Sequence, residues 1–282
     1  MHICYFATLT NDELEADMNG INKEKKKVMK KILRLITSFV FCVLLITLLK
    51  VVDWDFFVTF SYVPTVQDVF KELFVNLGRF GFYHDILSSL GRVYLGFGCA
   101  AVLAIPFAIL IVENEIVKNY VYPIFEIIRP IPNVAWVPMS IVLFKTINSS
   151  VLFITFIGAF FPILINTVEG FEHINENYIK IAKSFHINEK TYITEVMLPA
   201  AAPHIFTGLL IGMSGSWLGV VVAEMISGQS GIGYLTWVNY TLINMPGVVM
   251  CMLVIGGLGA ISSWIIRKSS KLMHLDGKRG ET

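Results

Sequence analysis

Residues 93–112 read VYLGFGCAAVLAIPFAILIV, twenty residues without a charge. At about 1.5 Å of rise per residue, a helix of that length crosses the roughly 30 Å hydrocarbon layer of a bilayer. A helix that is apolar all round belongs either in a large core or in lipid. Three further runs, 149–168, 205–223 and 248–266, are equally free of Lys, Arg, Asp and Glu, and together they decide for lipid. A shorter run at 35–49 extends back through Ile32, with Arg34 near its edge. A sixth, 120–144, carries Glu126 and is broken by Arg129-Pro130-Ile131-Pro132. The pattern predicts an all-α polytopic membrane protein with six transmembrane helices, five clean and one irregular.

Composition agrees. The 282 residues are 55% hydrophobic, 13% aromatic and 15% charged, and mean hydropathy is +0.67. A soluble domain carries about 25% charged residues, so a soluble enzyme is excluded. Disorder needs low hydrophobicity and high net charge, and is excluded with it. A net charge of +1 offers nucleic acid no bulk attraction. The cysteines Cys4, Cys42, Cys99 and Cys251 show no CxxC or disulfide spacing, and the last three sit in apolar runs as small hydrophobes.

The charge that remains is placed asymmetrically. Six lysines lie between Lys23 and Lys31, and Arg267, Lys268, Lys271, Lys278 and Arg279 follow the last run. Lys180, Lys183 and Lys190 lie in the long connection 169–202, and Lys118 in the short one at 113–119. The other side holds Lys71, Arg79 and Lys145, with Lys50 at the boundary. Basic residues concentrate in cytoplasmic loops, so both termini and the 169–202 loop are expected in the cytoplasm, with 53–85 facing outward. The expected organisation is a cytoplasmic N-terminal segment 1–31, a six-span domain 32–267 and a cytoplasmic tail 268–282. No small-residue cleavage site follows the first span, so it stays as an anchor. The unlike character of the first 17 residues makes Met18 an alternative start to Met1.

Within the spans, Gly208, Gly212 and Ser216 recur every four residues, as do Gly215 with Gly219 and Gly96 with Ala100 and Ala104. Such faces let helices approach closely in lipid. Pro106 and Pro162 are placed to kink their helices.

The 169–202 loop is patterned. Tyr178, Ile181, Ala182 and Phe185 form one apolar stripe on a short helix. Asn188 is placed to N-cap a second helix, with Tyr192, Ile193, Val196 and Met197 on its apolar face and a stop at Leu198-Pro199. Two such helices suit either a groove on a cytoplasmic partner or the lipid interface.

KIAKSFH at 180–186, followed by EVMLPAAAP at 195–203, resembles the EAA loop of ABC importer permeases, roughly E-A-A-x3-G-x9-I-x-L-P. SLGRV at 89–93, RPIP at 129–132, AWVP at 135–138, WLGVVVAEM at 217–225 and GIGYL at 231–235 resemble the branch serving nitrate, sulfonates, taurine and bicarbonate. The resemblance covers roughly 64–267. It implies a type I importer permease of the bacterial inner membrane, paired with a second copy of itself, a cytoplasmic ABC ATPase dimer and an extracytoplasmic solute-binding protein. ATP and Mg²⁺ would sit on the ATPase, with no cofactor on this chain. The coupling loop would comprise Tyr178, Ile181, Ala182, Lys183, Ser184, Phe185, His186, Ile187, Leu198 and Pro199. Lys180 and Ile181 replace the family's first acidic and second positions, and His186 stands where the family has Gly. A Gly there admits a positive φ in the turn between two helices, which His tolerates less well.

Few charges lie in or beside the spans. Arg92 and Glu224 lie at the outer ends of the second and fifth, and Arg129 in the broken third. Intramembrane charges line a cavity or meet a partner. Two readings stand: a path for a small anion lined by Arg92, Arg129, Asn133, Trp136 and Glu224, or ion pairs that hold the bundle. The break itself is admissible only if buried in protein or lining a cavity. Six scattered histidines give no metal-ligand spacing, no GxxxxGK[ST] loop is present, and no catalytic cluster can be assembled. The chain is therefore not expected to be an enzyme. The alternatives are an ion-coupled secondary transporter, for which no internal repeat is found, or a permease for another small solute such as a thiamine-precursor pyrimidine.

Overall fold

The computed structural model describes residues 63–175 and 187–270 continuously, residues 184 and 185, and the backbone of 271 and 272. It also describes residues 29, 30, 33, 34, 37, 38, 40, 41 and 44. The chain divides into two compact units, Met1–Val63 and Pro64–Thr282. In the first, the Thr37 hydroxyl donates back to the carbonyls of Leu33 and Arg34 at 2.9 and 3.0 Å, as a hydroxyl does on an apolar helix. Most of the predicted first span, the lysine cluster before it and the tail beyond 272 lie outside the described residues.

The second unit is built of helices, with no strand among the described residues. Helix α1 (Val66–Leu77) opens on Thr65, whose hydroxyl accepts from the Asp68 amide at 3.3 Å and donates to the Asp68 carboxylate, a variant of the capping box. Helix α2 (Phe80–Glu113) carries the 93–112 run and begins thirteen residues before it. The segment Val117–Val121 is π-helical and leads into α3 (Tyr122–Ile128). A 3₁₀ turn, Asn133–Ala135, then precedes α4 (Trp136–Leu143). Helix α5 (Ile147–Glu172) is capped by the Thr146 hydroxyl, which accepts from the Ser149 amide at 3.3 Å. Helix α6 (Leu198–Ser227) closes on Gly228 at φ 71°, the left-handed residue that commonly ends a helix. Helices α7 (Ile232–Thr241) and α8 (Met245–Leu272) follow.

Four of the predicted spans are thus long apolar helices: α2, α5, α6 and α8. The predicted irregular span is two short helices joined by the Arg129–Pro132 break. Helices α2 and α5 continue through Pro106 and Pro162.

The bundle is organised on α5, the most enclosed of the four long helices; α8 is the least enclosed. One core layer joins Ala100, Ala104, Ala108 and Ile111 of α2 to Ala159, Ile163, Leu164 and Val168 of α5 and to Ala201 and Ile205 of α6. A second joins Val93, Val137, Ile154, Met213, Trp217 and Val220. A third, at the end predicted to face outward, joins Val69 and Phe82 to Ile232, Met250 and Cys251.

The small residues of α6 face α5. A Cβ on Gly215 would collide with the carbonyl oxygen of Gly158, and one on Gly208 or Gly212 would press on Pro162, Ile163 and Ala159. The crossing has a chemical cause as well as a steric one. Pro162 has no N–H, so the carbonyl of Gly158, four residues earlier, has no helical partner. That oxygen is the one aimed at Gly215, where Cα–H groups can approach it.

Candidate functional site

Asp85, Ser89 and Arg92 are spaced four and three apart on α2, so all three lie on one face. They meet the start of α7 and the end of α6. The first amides of a helix have no intrahelical acceptor. Here the Gly231 amide donates to Asp85 Oδ1 at 2.9 Å, the Ile232 amide to Ser89 Oγ at 2.9 Å, and the Gly233 amide to Glu224 Oε2 at 3.0 Å. The Ser89 hydroxyl lies 2.9 and 2.8 Å from the two Glu224 oxygens. Arg92 Nη1 donates to Glu224 Oε1 at 2.8 Å and to the Ser230 carbonyl at 2.7 Å, while Nη2 reaches Asn148 Oδ1 at 2.7 Å. Glu224 is fully buried. Gly231 holds φ 118°, and a Cβ there would collide with the Glu224 carboxylate. One ion pair therefore ties α2, the α5 end, α6 and the α6–α7 turn together.

The third span is a different environment. After α3 the chain turns at Arg129 and Pro130, with the Ile131 amide on the Ile128 carbonyl at 3.0 Å and the Ala135 amide on the Pro132 carbonyl at 2.9 Å. Arg129 is exposed on this unit and makes no ion pair among the described residues. The Asn133 side-chain nitrogen lies 2.9 Å from where a Cβ on Gly158 would be, so it sits at the α5–α6 crossing. Trp136 buries its indole N–H with no hydrogen-bond partner. Beside the break, the hydroxyls of Ser140 and Ser150 meet at 2.7 Å and fasten α4 to α5.

Of the predicted path residues, the structure brings Arg92 and Glu224 together. It places Asn133 and Trp136 at the break, and Arg129 makes no ion pair with Glu224. Sequence reasoning quoted Ser89 and Gly231 within SLGRV and GIGYL without giving them a role, and did not single out Asp85 or Asn148. The signal for Asp85 and Ser89 was their spacing of seven and three residues ahead of Arg92.

The loop expected to couple to an ATPase is described in part. Tyr178, Ile181, Ala182, Lys183 and His186 lie outside the described residues. Ser184 and Phe185 are described, and Phe185 is 75% exposed. Ile187 borders on exposed. Asn188 occupies the N-cap position of Glu189–Thr191, and its side chain makes no capping bond. Tyr192, Ile193 and Met197 pack on the core, so the predicted apolar face is real and turns inward. The expected stop at Leu198-Pro199 is corrected. The helix runs without a break from Glu189 to Ser227, 39 residues, through a π-helical turn at Tyr192–Met197. Pro199 lies inside that continuous helix and has no N–H to return to it, and the turn immediately before it is the π-helical one, where the Leu198 amide reaches back five residues to the Ile193 carbonyl. Likewise α5 extends to Glu172, so the connection between the long helices is shorter than 169–202. At its base the rings of His173 and His204 stack at 5.8 Å, and Lys118 pairs with Glu172 at 2.6 Å.

A bundle of long apolar helices with a split span against its central crossing is a membrane-spanning domain. Residues 96–274 match the family of binding-protein-dependent transport system inner membrane components, and the chain belongs to that family. It is 35% identical over 177 residues to the nitrate import permease protein NrtB of Synechocystis sp., covering 63% of this chain and 64% of that one. It is 35% identical over 196 residues to the bicarbonate transport system permease protein CmpB of Synechococcus elongatus, covering 66% and 70%. The chain thus matches about two thirds of these relatives' lengths. In fold it is similar to a chain of the MetNI methionine ABC transporter, solved in inward-facing conformations. That likeness has TM-score 0.57 and 16% identity, covering 68% of this chain and 95% of that one.

Proposed function

We propose that this chain is the permease subunit of an ATP-driven importer and forms the path for a small oxyanion such as nitrate or bicarbonate. The family and its relatives support the permease role. The observation that carries the anion is the break in the third span. There the buried indole N–H of Trp136 has no acceptor, and Arg129 has no counter-ion among the described residues. A buried donor left unmatched costs about 1–3 kcal/mol. An oxyanion passing the break supplies the missing acceptor, and a cation would not.

In this reading the chain pairs with a second copy of itself and receives solute from an extracytoplasmic binding protein. A cytoplasmic ATPase dimer drives it through the segment around Ser184, Phe185 and Ile187. Both termini lie in the cytoplasm in this reading, which the lysine and arginine distribution supports. Arg92 and Glu224 contribute by fixing the outer end of the bundle, since their charges neutralise each other.

The test is uptake of labelled nitrate and bicarbonate by cells carrying Trp136→Phe, Arg129→Ala or Arg129→Lys, each checked for normal membrane abundance. Trp136→Phe keeps the ring and removes the donor, and uptake is expected to fall about tenfold, the equivalent of one hydrogen bond of about 1.4 kcal/mol to a charged group. Arg129→Lys should retain more uptake than Arg129→Ala. Wild-type uptake in all three removes the anion path from this break.

A further inference from the structure

Helix α8 is the least enclosed of the long helices, and a groove runs along it against α6. The cavity is about 590 Å³, within the range of small-molecule sites. Trp217 forms its wall from α6, and Gly256, Gly259 and Ala260 form its floor on α8. A Cβ on Gly256 would meet nothing within 4 Å. Trp264 and Arg267 close one end. Trp264 is 58% exposed, Arg267 is exposed and makes no ion pair among the described residues, and Lys268 lies 5.1 Å from the Trp264 ring.

Position and length identify the occupant. Arg267 is the first charge after the apolar run 248–266, so it marks the edge of the hydrocarbon layer. The eleven residue steps from Gly256 to Arg267 span about 16 Å of helix. That is about half of the roughly 30 Å layer, one leaflet. The groove therefore reaches from the headgroup level to the bilayer midplane. It is mostly apolar along its length, with the hydroxyls of Ser214 and Ser263 in its lining and that of Ser214 turned back to the Leu210 carbonyl, and it is cationic at its mouth, the complement of an acyl chain beneath a phosphate. Basic sites between transmembrane helices at this depth bind anionic headgroups.

We infer that the α6–α8 groove binds an anionic phospholipid, with one acyl chain against Gly256, Gly259 and Ala260 and the headgroup phosphate on Arg267. The site is independent of the solute carried.

The full-length protein, reconstituted in phosphatidylcholine vesicles, tests this through quenching of its tryptophan fluorescence. A minor fraction of the lipid is chain-brominated phosphatidylglycerol in one series and chain-brominated phosphatidylcholine in the other. The glycerol lipid should quench at about fivefold lower mole fraction, the ratio for one cationic contact at the membrane surface. Trp264→Phe should reduce the preferential quenching and leave the part reported by Trp217 in the groove wall. Arg267→Gln should abolish the preference. Gly256→Leu should abolish it too, because the new side chain fills the groove while leaving every charge in place. Equal quenching by the two lipids in the wild type overturns the inference, and so does a preference that survives Gly256→Leu. Shielding of Trp264 from both lipids also overturns it, and assigns the groove to a packed helix or a second copy instead.

Discussion

Removing one member of a buried ion pair costs more than removing both, because the survivor is left charged and unsolvated. Glu224 is the member that cannot escape: it is fully buried and accepts from Arg92, Ser89 and the Gly233 amide. Arg92→Met should therefore lower the stability of the detergent-purified protein by about 3–5 kcal/mol. The double replacement Arg92→Met with Glu224→Met should be less damaging than either single change. Thermal unfolding followed by size-exclusion chromatography gives the four corners of that cycle. Strict additivity would show that the two charges do not interact. Gly231→Ala is the companion case. Its Cβ would enter the Glu224 carboxylate from a backbone at φ 118°, so it should resemble the loss of Arg92.

At the level of elements, the α5–α6 crossing is set by the backbone rather than by side chains. Gly215→Ala must push α6 off the Gly158 carbonyl, while Gly98→Ala on α2 meets open space. The first should cost about 1–3 kcal/mol, the overpacking range. The second should be neutral or slightly favourable, since alanine suits a helix better than glycine. The same thermal measurement separates them, and equal behaviour would contradict the crossing. The long helices were legible in the sequence because a twenty-residue apolar run has few alternatives in lipid. The apolar face that includes Tyr192, Ile193 and Met197 was legible from its spacing, but its direction was not: it packs on the chain's own core instead of on a partner groove or the lipid interface. What was hidden depended on partners distant in sequence. Nothing local to Glu224 announces that Ser89 lies 135 residues away on its carboxylate. Nor does Leu198-Pro199 reveal that the chain enters α6 already helical. Proline interrupts the regular i→i−4 ladder, and the π-helical turn at Tyr192–Met197 that precedes it here has no local signal in the sequence.

For the whole molecule, the 39-residue helix from Glu189 to Ser227 is the consequential element. It is about 58 Å long at the usual rise, nearly twice the hydrocarbon thickness, so it projects beyond the bilayer. One end adjoins Phe185 and Ile187. The other carries Glu224 and the network that holds α2 and α7. Since Tyr192, Ile193 and Met197 already pack on the core, that stretch is not free to be a separate docking helix. On the permease reading, contact with an ATPase then falls to the residues before it, where Phe185 is the most exposed large apolar side chain among the described ones. A displacement there is delivered to a helix anchored in the bundle along its length. On the permease reading, Phe185→Ala should lower ATP-dependent uptake about tenfold or more, since exposed aromatic anchors dominate interface energies. Membrane abundance and thermal stability should stay at wild-type values, because the side chain is largely exposed among the described residues. Co-purification of the ATPase with the variant should weaken in parallel. If uptake falls while the ATPase is retained at full occupancy, Phe185 transmits movement without supplying affinity. If neither changes, the drive enters elsewhere. Uptake by the wild-type chain alone in liposomes, powered by an ion gradient, would remove the need for an ATPase and with it the permease reading.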